Sequence, residues 1–455
     1  MGCFSYVVTD FSKLFIMNFT ARLKNDPRFY WEVILLACMY GAYAVVNICR
    51  ATVIIASPAM LDDPTLELDK TAWGAILGWG TAGTIIGKLA TGIMADRLGG
   101  RKVFLFSLGL CMLATGMFGF MSKAFFFSVA FFVAMFAKAG AWPSMANLTG
   151  VWFQKSWRGR AWGIISSSSM SSWIFASLAL GSLLLVMSWR WVIASSAVMT
   201  GAFAILLYFY LRQYPTDVGL EAIPSVDGDD DSNHPQQPHH LDNATAGEAL
   251  LNFLLCPRFW LICLSIMSMN ILMVFQSFMP LYLKETFDLS SGMAGISSSV
   301  FPIGSMFSVL VGGFIFDNLT KKKRIYVLGG MMVLATASIL ILYLLNSPEM
   351  PGNGTLWVAL SAIMMFGLMI TPCYLIPMNV FSVDFGGKHC GFLVCLIDVA
   401  GYLASMAFEF LGGEIADRVN GWQQFLNVML NFSIIGTITL TLFLTMDHRS
   451  LRKPG

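Results

Sequence analysis

Three basic residues, Arg50, Lys88 and Lys138, each sit inside a stretch long and apolar enough to cross a membrane. An arginine there offers five fixed donors and a permanent charge, suited to gripping a phosphate or carboxylate through paired hydrogen bonds, while a lysine adds a compact point charge. A charged side chain at mid-bilayer costs roughly 2.5–3.5 kcal/mol on insertion scales, so such residues mark a substrate or ion path. The chemistry they imply is reversible capture of an anion. Arg50 reads as a substrate contact, with an interhelical pair as the alternative. Lys88 lies about two turns from the end of its span, where its stem can also snorkel, and Lys138 is nearer mid-helix. Tyr43, about two turns from Arg50 on the same helix, is a further candidate for lining the path.

The second half of the chain answers with acids and amides. Asp398 lies well inside the eleventh apolar stretch, where a carboxylate can carry a proton or serve as countercharge to a lysine. Glu409, near the far end of that stretch, is expected to be solvated. Asn270 and Gln276 supply amides in the seventh stretch and are taken as substrate contacts. Ser166 to Ser169, with Ser171 and Ser172, read as a close-packing face.

These residues require a scaffold of membrane helices. The 455 residues are 56% hydrophobic and 12% charged, with a mean hydropathy of +0.69, whereas a soluble globule has a charged fraction near a quarter. The nine cysteines show no paired spacing and read as small hydrophobes. Apolar windows fall near 30–58, 71–94, 103–121, 124–149, 160–186 and 189–211, then near 258–283, 291–316, 325–346, 356–381, 389–411 and 422–446. The fold class is therefore all-α, with twelve transmembrane helices in two six-helix bundles, 30–211 and 258–446. A polar segment, 212–257, joins them. Its acidic run and His234, His239 and His240 read as solvated linker, with no metal expected. Residues 1–29 mix Phe, Leu and Ile with Lys13, Arg22, Lys24 and Arg28, which suits an amphipathic surface helix or an organelle transit peptide. Residues 447–455 form a short tail.

Lys and Arg cluster on the side that holds both termini and the linker, while the other side receives Lys70, Lys123, Arg190, Lys284 and Arg418. The positive-inside rule then places both termini in the cytoplasm and leaves the choice of plasma or organelle membrane open. Of the Asn-x-Ser/Thr sequons, Asn353 alone falls in a non-cytoplasmic loop and is the expected glycan acceptor; Asn147 lies in or near a span.

The halves repeat a motif. Gly92-Ile-Met-Ala-Asp96-Arg97-Leu-Gly99-Gly100-Arg101-Lys102 follows the second span, and Gly313-Phe-Ile-Phe-Asp317-Asn318-Leu-Thr-Lys321 follows the eighth. Glycine permits close packing at a helix end, and the aspartate can cap or pair with basic groups in one conformational state. This register resembles the signature loop of the major facilitator superfamily, as does the six-plus-six layout over nearly the whole chain; the first copy departs from the common form at Gly100. The resemblance implies two bundles, a central site at midplane and alternating access. Within the superfamily, Tyr43 to Arg50, Lys88 eight residues before Asp96, Lys138 to Pro143 and Ile397 to Gly401 resemble the organophosphate:phosphate antiporters. Those antiporters pair the first-span arginine with another in the seventh span, yet Asn270 to Pro280 holds no base. The resemblance implies a secondary transporter of an organophosphate-like anion or a carboxylate. Two alternatives stand beside it: a proton-coupled symporter of a carboxylate or neutral solute using Asp398, and a non-transporting sensor or scaffold. No nucleotide-binding loop, dinucleotide fingerprint or nucleophile elbow occurs, so neither an enzyme, a cofactor nor a nucleic-acid partner is expected. The expected partners are a small anion and the lipid bilayer, with the chain acting as a monomer.

Overall fold

A computed structural model describes Arg22 and residues 24–221, 245–317, 319–346 and 355–450. Asn353, residues 1–21 and the histidine-bearing part of the linker lie outside the described residues. The first bundle comprises α1 (Pro27–Leu61), α2 (Lys70–Leu98), α3 (Gly100–Phe118), α4 (Ala124–Ala139 and Ala141–Trp152), α5 (Lys155–Phe175, prolonged by a π-helical turn Ala176–Leu180 and by Gly181–Leu183) and α6 (Trp189–Tyr210). The second comprises α7 (Pro257–Phe287), α8 (Ser291–Ser297 and Val300–Asp317), α9 (Lys321–Leu345), α10 (Thr355–Gly386), α11 (Cys390–Asp417) and α12 (Gly421–Ser450). Among the described residues, eleven helices are long and apolar enough to cross a membrane. The twelfth, α2, is diluted by glycines, threonines and Lys88, and owes its place to packing between α4 and α11.

Local chemistry sets the helix ends. Asp26 caps α1, its carboxylate accepting the N–H groups of Arg28 and Phe29 at 3.0 and 3.2 Å, and Asp69 caps α2 through the N–H of Ala72 at 2.6 Å. Proline opens α1 and α7, where a missing N–H costs nothing. Gly99 separates α2 from α3 by a single residue at φ +84°, a conformation that favours glycine. Its neighbour Gly100, the departure from the family motif, has a physical reason. A Cβ there would lie 2.6 Å from the Ser144 carbonyl of α4, and its N–H donates to Asn147 Oδ1 at 3.0 Å. Asn147 Oδ1 also accepts from Gln213 Nε2 at 2.9 Å, so this sequon asparagine is tied into the bundle. The linker carries structure at both ends: Gln213 accepts the Arg101 N–H at 2.8 Å, and a helix, Ala246–Leu255, begins on a reciprocal Thr245–Glu248 cap.

The bundles meet most closely at the face that carries loops 62–69, 288–290 and 418–420. There Gly74 of α2 and Gly413 of α11 touch backbone to backbone; a Cβ on Gly74 would stand 2.8 Å from Gly413 Cα. Gly181 and Gly295 make the matching approach between α5 and α8, where a Cβ on Gly181 would lie 2.8 Å from Ile296 N. Lys70 pairs with Glu285 at 2.8 Å, Trp422 Nε1 donates to the same carboxylate at 2.7 Å, and Lys284 pairs with Asp62. Exposed pairs of this kind contribute about 0–1 kcal/mol each, so the glycine approaches do most of the sealing. This is the closed face. Gly74→Val should therefore bias the protein away from the state seen here. Overpacking costs about 1–3 kcal/mol, so spin labels placed in loops 62–69 and 288–290 should report a roughly 5- to 150-fold shift toward the longer separation. An unchanged distance distribution would contradict the sealing role.

Candidate functional site

Glycine spacing brings the charges together. Gly83 and Gly87 let α2 lie against the backbone of α4, a Cβ on Gly87 standing 2.5 Å from the Phe136 carbonyl. Gly140 interrupts α4 just beyond Lys138, where any side chain would strike Ser107 of α3. Lys88 and Lys138 are thus fixed on neighbouring helices, and Lys138 stands within electrostatic reach of both Arg50 and Lys88. The cations expected to act together do converge between the bundles.

Their surroundings differ. Lys88 forms an ion pair with Asp398, 310 residues away on α11, and its ammonium lies 4.2 Å from the centroid of the Tyr402 ring. The Tyr374 hydroxyl of α10 donates to the other Asp398 oxygen at 3.3 Å. The Lys88 and Asp398 side chains retain 28% and 19% of their surface accessible, so the space between the bundles reaches this depth. With one face closed, it communicates with the other. Lys88 therefore does not snorkel: its charge is answered by Asp398 and by the face of an aromatic ring.

Arg50 and Lys138 are half-buried, and neither has a hydrogen bond or ion pair among the described residues. Two cations without a contacting counter-ion make this a place for a negative group. Tyr43 interacts with Lys88, Tyr402 and Ser169. Its ring lies 5.7 Å from Trp142, which lies 4.7 Å from Trp162. An aromatic wall thus adjoins the cations.

The remaining expectations divide. Asn270 is buried, its amide donating to the Ile266 carbonyl at 3.0 Å and accepting from Ser405 at 3.5 Å, and it reaches the cluster through Tyr374. Gln276 is half-buried on α7 with no bond to a described residue. Gly92 is half-buried, Asp96 and Arg97 are exposed, and Arg101 ties α3 to the end of α6 through the Tyr208 carbonyl at 3.0 Å. Gly313 and Asp317 fall within α8. Glu409 corrects the sequence reading: it is 2% exposed, not solvated, because the α2–α11 seam closes over it.

Sequence reasoning misses Tyr374, Tyr402 and Thr81. Periodicity held a signal for most of them. Asp398, Tyr402, Ser405 and Glu409 follow one another by four, three and four residues, as do Gly74, Thr81 and Lys88 by seven, so each set lies on one helix face.

Two bundles of six long apolar helices, closed at one end around a charged cluster, define a multi-pass membrane carrier. Residues 33–407 match the model of the Major Facilitator Superfamily, and the chain belongs to that superfamily. It is 26% identical over 323 residues, 69% of each chain, to a probable hexose phosphate transport protein of Chlamydia trachomatis. It is 24% identical to the glucose-6-phosphate exchanger SLC37A2 of Xenopus laevis over 80% of this chain and 78% of that one. Among solved structures, a bacterial homolog of the human lysosomal transporter Spinster, inward-facing and unoccupied, superposes with a TM-score of 0.75 at 15% identity, covering 95% of this chain and 100% of the other.

The Lys88–Asp398 pair is open to a double-mutant cycle. Asp398→Asn and Lys88→Met should each lower the thermal unfolding midpoint, and the double variant should lose less than the sum. The expected coupling is about 0.5–3 kcal/mol; strictly additive losses would show that the pair does not hold the bundles.

Proposed function

We propose that this protein carries a small organic anion of the phosphate-ester class across its membrane by alternating access, with Arg50 and Lys138 holding the anionic group. The observation that carries the reading is the pair of half-buried cations, on α1 and α4, that no described carboxylate contacts, beside a Lys88 already neutralised by Asp398. A dianionic phosphate answers both charges. The Tyr43, Trp142 and Trp162 wall suits the organic portion, since aromatic faces bury a ring's apolar surface at small entropic cost. The names of the relatives, hexose phosphate transport protein and glucose-6-phosphate exchanger, agree with this class. A carboxylate remains the second chemical class, because the seventh helix offers Asn270 and Gln276 and no second arginine.

In this reading Asp398 serves as countercharge to Lys88, with Tyr43 beside them. Asn270 supports Tyr374, and Gln276 lines the approach along α7. The loop residues Gly92, Asp96, Arg97 and Arg101, with Gly313 and Asp317, re-pair as the bundles rock. Both termini and the linker face the cytoplasm, so the open side is cytoplasmic, Asn353 is the glycan acceptor, and one chain suffices because both bundles belong to it. The N-terminal segment, the two bundles, the linker and the tail keep the boundaries given above.

Counterflow of glucose 6-phosphate and inorganic phosphate in proteoliposomes tests this. The wild-type protein should exchange at least one of them, and Arg50→Ala should abolish exchange while leaving the unfolding midpoint intact. A charge-assisted hydrogen bond contributes about 1.5–3 kcal/mol, so Lys138→Ala should weaken binding roughly 10- to 150-fold. Wild-type-like exchange by Arg50→Ala would sink the assignment. Binding without counterflow would instead identify a sensor.

A further inference from the structure

Glu409 is the acid that anion capture leaves unused. It stands three turns beyond Asp398 on the face of α11 that meets α2, it is 98% buried, and its Oε2 has no hydrogen-bond partner among the described residues. The Gly74–Gly413 contact closes the helices above it. Across the seam α2 offers the Thr81 hydroxyl, and from α1 Arg50 acts on the carboxyl group through space, without forming an ion pair. The side turned to α7 and α12 is aromatic: Phe408 packs on Phe425 at 5.2 Å, and Phe278 on Phe425 at 5.3 Å. Of the other charged groups on these helices, Lys70 is committed to Glu285, Lys284 to Asp62, Lys88 to Asp398 and Asp417 to the Thr71 hydroxyl, while Asp96 and Arg97 are exposed at the far end of α2. On α10, Tyr374 serves Asp398.

A carboxylate sealed in this way lacks the partners that would replace its hydration. Two things can answer its charge, a bound proton or the field of Arg50. An anion seated on Arg50 cancels that field, so the anion and the proton favour each other's binding, and linkage makes the effect equal in both directions. Asp398 does not share this logic, because Lys88 contacts it directly.

We propose that Glu409 is a proton-binding site coupled through Arg50 to the anion site, so that a proton accompanies each anion through the protein. This rests on Arg50 being the anion's seat. The proton reaches Glu409 from water when the gate above it opens, and forms an O–H bond on its carboxylate. It returns to water on the other side when the anion leaves and the bare charge of Arg50 acts on the acid again. No further reactant is needed, and the coupling holds for net transport and for exchange.

The test uses full-length protein in nanodiscs, in weak buffer with a pH-indicating dye. Sulfate is the first probe, because its charge does not change across the neutral range; glucose 6-phosphate is the second, with its own titration removed by subtracting the Glu409→Gln signal. The wild-type protein should take up close to one proton per anion bound and bind roughly 10- to 100-fold more tightly at about pH 6 than at about pH 8, since each linked proton is worth about tenfold per pH unit. Glu409→Gln should bind with no uptake and no such pH dependence. Glu409→Asp, which keeps the acid, should retain both, and serves as the second variant if the amide fails to fold. Anion binding by wild type without proton uptake, or equal uptake by Glu409→Gln, would overturn the proposal. If wild type binds neither anion, the assignment of Arg50 fails and the coupling falls with it, an outcome distinct from binding without uptake.

Discussion

The seam between α2 and α11 sets the terms for the rest of the molecule. Lipid gives helices no hydrophobic reason to associate, so contact between them rests on close packing and on polar groups that find partners. At this seam Gly74 and Gly413 let two backbones touch, and two to four turns further along α2 the side chains of Thr81 and Lys88 meet acids of α11. Among the described residues, the closed end holds no disulfide and no deeply buried ion pair. The Lys70–Glu285 and Lys284–Asp62 pairs sit at the mouth, where water competes for them. A seam sealed by shape and edged by weak pairs can separate without leaving a stranded charge in hydrocarbon.

Charge is divided unevenly across that seam. The first bundle contributes Arg50, Lys88 and Lys138; the second contributes Asp398 and Glu409. Asp398 cancels Lys88, and Arg50 and Lys138 remain as two cations near one another with no contacting counter-ion among the described residues. An anion between them relieves their repulsion and removes a cost that each conformation otherwise carries. A ligand shifts a conformational equilibrium only by its differential affinity for the states. The differential here has a physical source, since closing the bundles lowers the local dielectric and strengthens both the repulsion and its relief.

Much of this was legible in the sequence. Runs of apolar residues mark twelve spans, and the positions of Arg50, Lys88 and Lys138 within such runs point to the candidate site, because a charge in hydrocarbon is conspicuous whatever surrounds it. The helix most diluted by polar residues, α2, was still found, although its membership rests on glycines that serve α4 on one face and α11 on the other. What the sequence withheld was pairing. Nothing local links Lys88 to a carboxylate 310 residues away, or Tyr374 to the same carboxylate from a third helix. Gly100 looked like a lapse in a motif until the Ser144 carbonyl showed why a side chain does not fit.

Glu409 shows where reasoning from position along a span fails. By distance from the end of the apolar stretch, Asp398 is the inner acid and Glu409 the outer one, and the outer one is expected to be hydrated. Accessibility runs the other way: Asp398 keeps 19% of its side-chain surface, while Glu409 keeps 2%. Depth along the helix says how far a group is from the membrane surface, but not which gate is shut. In a protein that closes one end at a time, the acid beneath the closed gate is the one removed from water, and the acid at the midplane faces the space left open. The two acids share a helix face and differ in partner, one bound by an ammonium and a phenol, the other left with a hydroxyl and a distant guanidinium. The partner, more than the depth, decides how each carboxyl group's charge is answered: for Asp398 by a contacting ammonium, for Glu409 by no contacting cation among the described residues.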